Sequence, residues 1–238
     1  MKIAVMGTGG MGAYYGGYLA ANGCDVTFIA RGEHLKSIKT NGLWLKGDNG
    51  DIHISLASAT DKPENIGPVD VILFCVKLYD TETAANAILP LLKDNTKVIS
   101  FLNGIDGPER IENIVGKKHV VGGAAYASAV IEQPGVVRYK GTKGHFRIGY
   151  LDGVGNDRLR EFQELYSSTP IECEITNDIT ATLWDKFTLL ATNSGLSCLC
   201  RKPVGVIYND PSLLELARNM MEEVKLLALS QNIYIDKD

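Results

Sequence analysis

The sequence predicts an α/β fold: an N-terminal doubly wound domain followed by an all-helical C-terminal domain. Three observations predict it. Over the first 130 residues strand-like and helix-like runs alternate, the pattern of a parallel sheet with helices on both faces. The first apolar run, Lys2–Met6, ends in a glycine-rich turn that opens a helix. From Asp178 onward only helical periodicity remains, in two long runs.

The elements follow in order. Lys2–Met6 is a short strand. Met11–Asn22, rich in small residues, is a helix that stops at Gly23. Asp25–Ala30 is the second strand and Glu33–Thr40 a short helix. Val69–Val76 (VDVILFCV) is a continuous apolar run, as expected of a strand buried on both faces. Thr81–Leu92 is helical, Lys97–Leu102 a strand, Pro108–Val115 a helix and His119–Tyr126 a strand. Residues 130–150 read as short strands with turns at Pro134-Gly135, Gly141 and Gly144. A helix over about 156–166 and a strand at Ile171–Thr176 follow. Helices then cover about 178–200 and about 212–231. The boundary falls near Asn177, giving domains at 1–176 and 177–238.

Composition narrows the function classes. The chain has 238 residues, 45% of them apolar, enough to bury a sizeable core. A net charge of −4 gives no basic footprint, so neither nucleic acid nor an anionic membrane surface is an expected partner. The longest strongly apolar run, Val71–Val76, is far too short to span a membrane. No signal peptide fits the N-terminus, so a cytoplasmic location is expected. The five cysteines (Cys24, Cys75, Cys173, Cys198, Cys200) include no CxxC pair, and neither a metal site nor a disulfide framework is expected.

Gly7-Thr8-Gly9-Gly10-Met11-Gly12 carries the first chemistry. A GxGxxG run between a strand and a helix is the fingerprint of a Rossmann-type dinucleotide site. Gly7 permits the tight turn, Gly9 lets the backbone approach a pyrophosphate, and Gly12 lets the helix pack on the strand. The helix N-terminus offers unpaired N–H groups and a positive dipole end to phosphates. An NAD site ends its second strand in Asp or Glu, which binds the ribose 2′-OH. Here the strand ends Phe28-Ile29-Ala30-Arg31, and Arg31 presents a cationic fork suited to a 2′-phosphate, which favours NADP (NADPH). His34 and Lys36 stand close by as further sources of positive charge.

Ligands of open α/β sheets bind beyond the carboxyl ends of the strands. Lys77 and Asn103 stand at two such ends and are candidates for the nicotinamide ribose or the substrate. On the helix near 178–200, Ile179, Leu183, Lys186 and Leu190 fall on one stripe. Lys186 therefore lies in line with residues expected to face an interior. A desolvated lysine has a depressed pKa that suits proton donation, whereas a snorkelling lysine would reach water with its ammonium. Periodicity leaves both open.

Together these segments resemble the ketopantoate reductases (2-dehydropantoate 2-reductases). The resemblance rests on the glycine turn, Asp25–Arg31, Cys75-Val76-Lys77, Leu102-Asn103-Gly104, Trp184-Asp185-Lys186, the Pro134-Gly135 turn and Gly149, and it extends over essentially the whole chain. That family reduces the ketone of 2-dehydropantoate with NADPH, on the route to pantothenate. By position, the resemblance implies that Gly7–Gly12 hold the pyrophosphate and Arg31 the 2′-phosphate. It implies that Lys77 and Asn103 line the nicotinamide side, and that Lys186 is the general acid. It also implies a small 2-oxo acid as partner and a homodimer.

Two features depart from the family's pattern. The family carries Asn four and eight residues after the catalytic lysine, where this chain has Leu190 and Ser194. Ser194 is the substitute substrate contact, with Asn193 on a neighbouring helix face. The family's later helices supply a serine and a glutamate to the substrate, and this sequence stops at Asp238. The C-terminal domain is therefore expected to be incomplete, a C-terminally truncated form. Three readings stay open: a 2-dehydropantoate reductase, a reductase of another small 2-oxo acid, and a non-catalytic NADP(H)-binding module. An opine-type or hydroxyacid dehydrogenase commonly relies on a histidine, and His34, His53, His119 and His145 all lie outside the C-terminal helical region.

Overall fold

The computed structural model describes residues 1–155 and 157–235. The chain divides into two compact units that part between Ile179 and Thr180.

The first unit opens with strand β1 (Lys2–Met6), helix α1 (Gly10–Ala21), β2 (Asp25–Ile29) and α2 (Gly32–Asn41). Three short strands follow, β3 (Leu43–Lys46), β4 (Ile52–Ile54) and β5 (Ser58–Thr60). Then come β6 (Val71–Phe74), α3 (Thr81–Ala87), β7 (Lys97–Ser100) and α4 (Gly107–Val115). Two long strands, β8 (Val120–Gln133) and β9 (Val136–Gly149), form a hairpin, and α5 (Asp157–Glu164) and β10 (Ile171–Ile175) complete the sheet. The second unit carries most of α6 (Ile179–Cys200), with α7 (Val204–Tyr208) and α8 (Pro211–Ser230).

One mixed sheet runs β4-β3-β9-β8-β7-β6-β1-β2-β5, with β10 beside β9. From β5 across to β8 every pairing is parallel, as alternation of strands and helices predicts. β9 then runs antiparallel to β8 and parallel to β3. The chain leaves β1 for β2 on one side and reaches β6 on the other, so the strand order reverses there. Alternate residues feed opposite faces, as a period of two requires. Ile3, Val5, Val71 and Leu73 join the core beneath the α1 tyrosines and α5, while Ala4, Ile72 and Phe74 join the core beneath α3 and α4.

Several elements differ from expectation. β3, β4 and β5 are not expected from the sequence, since each is at most four residues long. Residues 130–150 form one long hairpin rather than several short strands. Its turn is at Pro134-Gly135 as expected, with Gly135 at φ +78°. Gly141 and Gly144 are not separate turns. The register steps from Tyr126↔His145 to Ser128↔Lys140, so residues 141–144 bulge from β9, with Gly141 at φ +88°. The helix expected over about 156–166 runs Asp157–Glu164, its first expected residue lying outside the described residues. Residues 236–238 of the expected C-terminal domain lie outside them too. α7 is unexpected. Its Ile207 packs with Leu196 of α6 and Ala217 of α8 as the small core of the second unit. Among the described residues no helix is long and apolar enough to cross a membrane.

Candidate functional site

The glycine turn sits where the strand order reverses, the position at which doubly wound sheets open a crevice. Gly7 has φ +95°, and a Cβ on it would meet the Cys75 carbonyl carbon and Val76 at 2.9 Å, so the end of β1 lies hard against the end of β6. Thr8 is buried. Its N–H and hydroxyl both donate to the Ile29 carbonyl, at 3.1 and 2.9 Å, which pins the turn to the end of β2. Gly9 is the N-cap of α1, and a Cβ there would meet nothing within 4 Å. The space above Gly9 is therefore open where α1 presents its first N–H groups.

Gly10, Met11 and Gly12 play other parts. A Cβ on Gly10 would collide with the Ala129 carbonyl of β8, and one on Gly12 with the Gly7 carbonyl and Val5. Met11 packs against the core. These three shape the turn, and they do not line the cleft in front of it. That cleft, of about 490 Å³, is lined by Gly7, Thr8 and Gly9, by Arg31 and His34 beyond β2, and by Lys77 and Asp80 beyond β6. Asp61, Pro63 and Ile131 close its sides.

Arg31 is the N-cap residue of α2 with its side chain 86% exposed, and its Nη2 donates to the Asp80 carboxylate at 3.2 Å. Lys77 is exposed, at the start of the turn Leu78–Asp80. Asn103 is exposed on the loop after β7 and is not among the lining residues.

His34 corrects an expectation. It does not add positive charge: its Nδ1 accepts from the Gly135 N–H at 3.0 Å, and burial pushes its pKa below the ordinary histidine value against the opposing pull of the Thr8 carbonyl. Its Nε2 is enclosed without a well-formed hydrogen bond. Lys36 is not among the lining residues and stands 3.7 Å from Glu33 on the solvent side of α2.

On α6, Ile179, Leu183 and Lys186 are buried as their stripe predicts, Lys186 at 9% exposure, whereas Leu190 is half-buried. A second stripe, Trp184, Thr188, Thr192 and Leu196, is buried as well. Burial lowers the Lys186 pKa from its ordinary 10.5 to about 8. Ser194 is exposed, and the Asn193 side-chain oxygen accepts from the Tyr208 hydroxyl at 2.5 Å.

Asp80 and Ile131 were not singled out by the sequence. Asp80 has a local signal, an acid three residues past Lys77 in the turn before a helix. Ile131 has none, because only the length of β8 brings it to the cleft.

The arrangement matches known proteins along its length. Residues 3–153 match the family described as Ketopantoate reductase PanE/ApbA, and residues 178–238 match Ketopantoate reductase PanE/ApbA C terminal. A 2-dehydropantoate 2-reductase of Pyrococcus horikoshii is 31% identical over 236 residues, covering 99% of this chain and 76% of the relative. The crystal structure of 2-dehydropantoate 2-reductase from Geobacter metallireducens superposes with a TM-score of 0.94 at 28% identity, covering 100% of this chain and 79% of that one. A D-mandelate dehydrogenase in a ternary structure with NADH and anilino(oxo)acetate gives 0.90 at 25% identity, over 99% and 76%. The chain belongs to the ketopantoate reductase family, oxidoreductases that act on CH–OH groups.

Proposed function

We propose that this chain reduces a small 2-oxo acid, 2-dehydropantoate as the leading substrate, with NADPH as reductant and Lys186 as general acid. The observation that carries the reading is Lys186: a buried lysine with a pKa near 8 on a helix of the family's C-terminal domain. The cleft fits a dinucleotide. The backbone at Gly9 is open to a pyrophosphate, and Arg31 offers its guanidinium to a 2′-phosphate on the same cleft. Gly7, Thr8, Gly10, Met11 and Gly12 would hold the turn in shape. Lys77 would reach the nicotinamide ribose, with Asn103 beside the substrate.

A reduced nicotinamide supplies a hydride to the carbonyl carbon. The residues supply the rest. A charged Lys186 donates its proton to the carbonyl oxygen and stabilises the negative charge that develops there, most strongly in a poorly solvated setting. Ser194 is the proposed hydroxyl partner of the substrate. The experiment is loss of NADPH absorbance with 2-dehydropantoate, compared between the wild type and Lys186→Ala. Turnover unchanged in the variant overturns the role of Lys186.

A second reading keeps the fold and changes the substrate. Leu190 is half-buried and cannot hydrogen-bond, and the D-mandelate dehydrogenase relative is found with an aryl-substituted oxo acid. A site without that polar partner discriminates weakly in favour of hydroxyl-bearing substrates. A panel of 2-oxo acids separates the two, with preference for members lacking hydroxyls favouring the second. Tight NADPH binding without turnover of any 2-oxo acid favours a non-catalytic binding module. The reading carries a cytoplasmic location and a homodimer with it, the latter checked by sedimentation.

A further inference from the structure

Arg31 does not reach the cleft alone. Its guanidinium meets the Asp80 carboxylate at 3.2 Å, from a strand end two positions across the sheet. The turn that presents Asp80 is braced on several sides. Its N–H donates to the Lys77 carbonyl at 2.9 Å, and the Leu78 carbonyl accepts from Thr81 Oγ1 at 2.7 Å and Arg110 Nη2 at 3.0 Å. Arg110 is itself held by both oxygens of Glu82, at 2.7 and 2.8 Å. Asp80 occupies the N-cap position of α3, yet its carboxylate makes no capping bond there. It is directed to Arg31 instead. Asp61, on the loop after β5, adds a second carboxylate to the lining of the same cleft.

The chemistry of a 2′-substituent differs sharply between the two nicotinamide dinucleotides. A 2′-phosphate carries nearly two negative charges, must take Arg31 from its present partner, and is repelled by the carboxylate left behind. A ribose 2′-hydroxyl is a donor, and a carboxylate is the acceptor that NAD sites use for it. The acid missing from the end of β2 is thus supplied from the end of β6.

We propose that Asp80 is a specificity-determining residue for the dinucleotide. It restrains Arg31, narrows the preference for NADPH, and keeps NADH a competent ligand by accepting from its ribose. The proposal rests on the nicotinamide reading above, and its test separates the two.

The test is equilibrium binding of NADPH and of NADH, followed by the fluorescence of the reduced nicotinamide. The proteins are the wild type, Asp80→Asn, Asp80→Ala and Asp94→Asn. Asp94 pairs with Lys118 at 3.1 Å on the surface and controls for net charge. Removing one charge beside a near-dianionic phosphate, several ångströms away in a largely aqueous setting, should raise the NADPH-to-NADH affinity ratio about tenfold. Both Asp80 variants should show this, with NADPH tighter and NADH weaker, and the gain should shrink in high salt. Asp94→Asn should leave the ratio as it is. An unchanged ratio in folded Asp80 variants, or an equal rise in Asp94→Asn, overturns the role of Asp80 while leaving the cofactor reading intact. A wild type that binds neither dinucleotide overturns both.

Discussion

Replacing Lys186 with methionine should make the protein more stable while stopping its chemistry. The stem of the side chain is kept and the buried charge is removed. A lysine whose pKa falls from 10.5 to about 8 on folding loses about 1.4 kcal/mol for each pH unit of that fall, or about 3 kcal/mol in all. Below pH 8 the ammonium is charged in both states, so the folded chain bears the whole cost at pH 7. Lys186 also makes an interaction of its own, and losing it subtracts on the order of 1 kcal/mol. The net gain for the variant at pH 7 is therefore about 2 kcal/mol. Between pH 8 and 10.5 the folded chain has released a proton that the unfolded chain still holds. Wild-type stability rises relative to the variant through that window, so the gap vanishes at about pH 9.5, and above pH 10.5 the wild type is the more stable by about 1 kcal/mol. Urea unfolding of both proteins at pH 7, 8.5 and 10 measures the gap directly. A variant less stable than the wild type at pH 7, or a gap that does not change with pH, refutes the claim that Lys186 is held at a cost.

Further outcomes follow from the same geometry. If Lys186 donates the proton, kcat/KM should decline as pH rises through about 8, and Lys186→Arg should carry the decline to higher pH; a profile flat to pH 9.5 removes Lys186 from the step. Gly9→Ala should fold with stability within about 1 kcal/mol of wild type yet bind NADPH at least about tenfold more weakly, because its methyl group enters the space a pyrophosphate needs. Gly12→Ala should cost about 3 kcal/mol or more, because its methyl group meets the Gly7 carbonyl inside the protein; equal effects of the two substitutions on urea midpoints contradict the division of labour. His34 is kept neutral by burial, so as pH falls below about 6.5 the unfolded chain takes up a proton that the folded chain resists, and stability is lost. His34→Gln should lose less of its urea midpoint than the wild type between pH 7 and pH 5.

What could be read from the sequence was local. The β1–turn–α1 unit is contiguous, so its glycine spacing shows in the sequence, although the groups that Gly7 and Gly10 press against, Cys75-Val76 and Ala129, lie far along the chain. The Ile179, Leu183, Lys186 stripe is a matter of helical period, and its burial follows. The second stripe through Thr188 and Thr192 was less legible, because threonine carries no apolar signal of its own. The cofactor mouth was legible only in half. Arg31 is encoded at the end of β2, but the carboxylate that opposes it comes from the end of β6, 49 residues on, and only sheet order makes them neighbours. His34 was misread for a related reason: its charge state is set by burial, under packing that includes Gly135, 101 residues away, and not by its own flanking residues. β3, β4 and β5 escaped because strands of three or four residues carry too few alternations to stand out.

The bond from Gly135 to His34 and the press of Gly10 against Ala129 have a consequence for how the molecule assembles. The fingerprint occupies the first dozen residues, yet its back wall is contributed by a hairpin more than a hundred residues later. Closing that span costs loop entropy that is recovered only when the hairpin docks. Phosphate-ready geometry at the N-terminus should therefore arise late in folding, and the dinucleotide should act as a reporter of the completed first unit rather than as a seed for it.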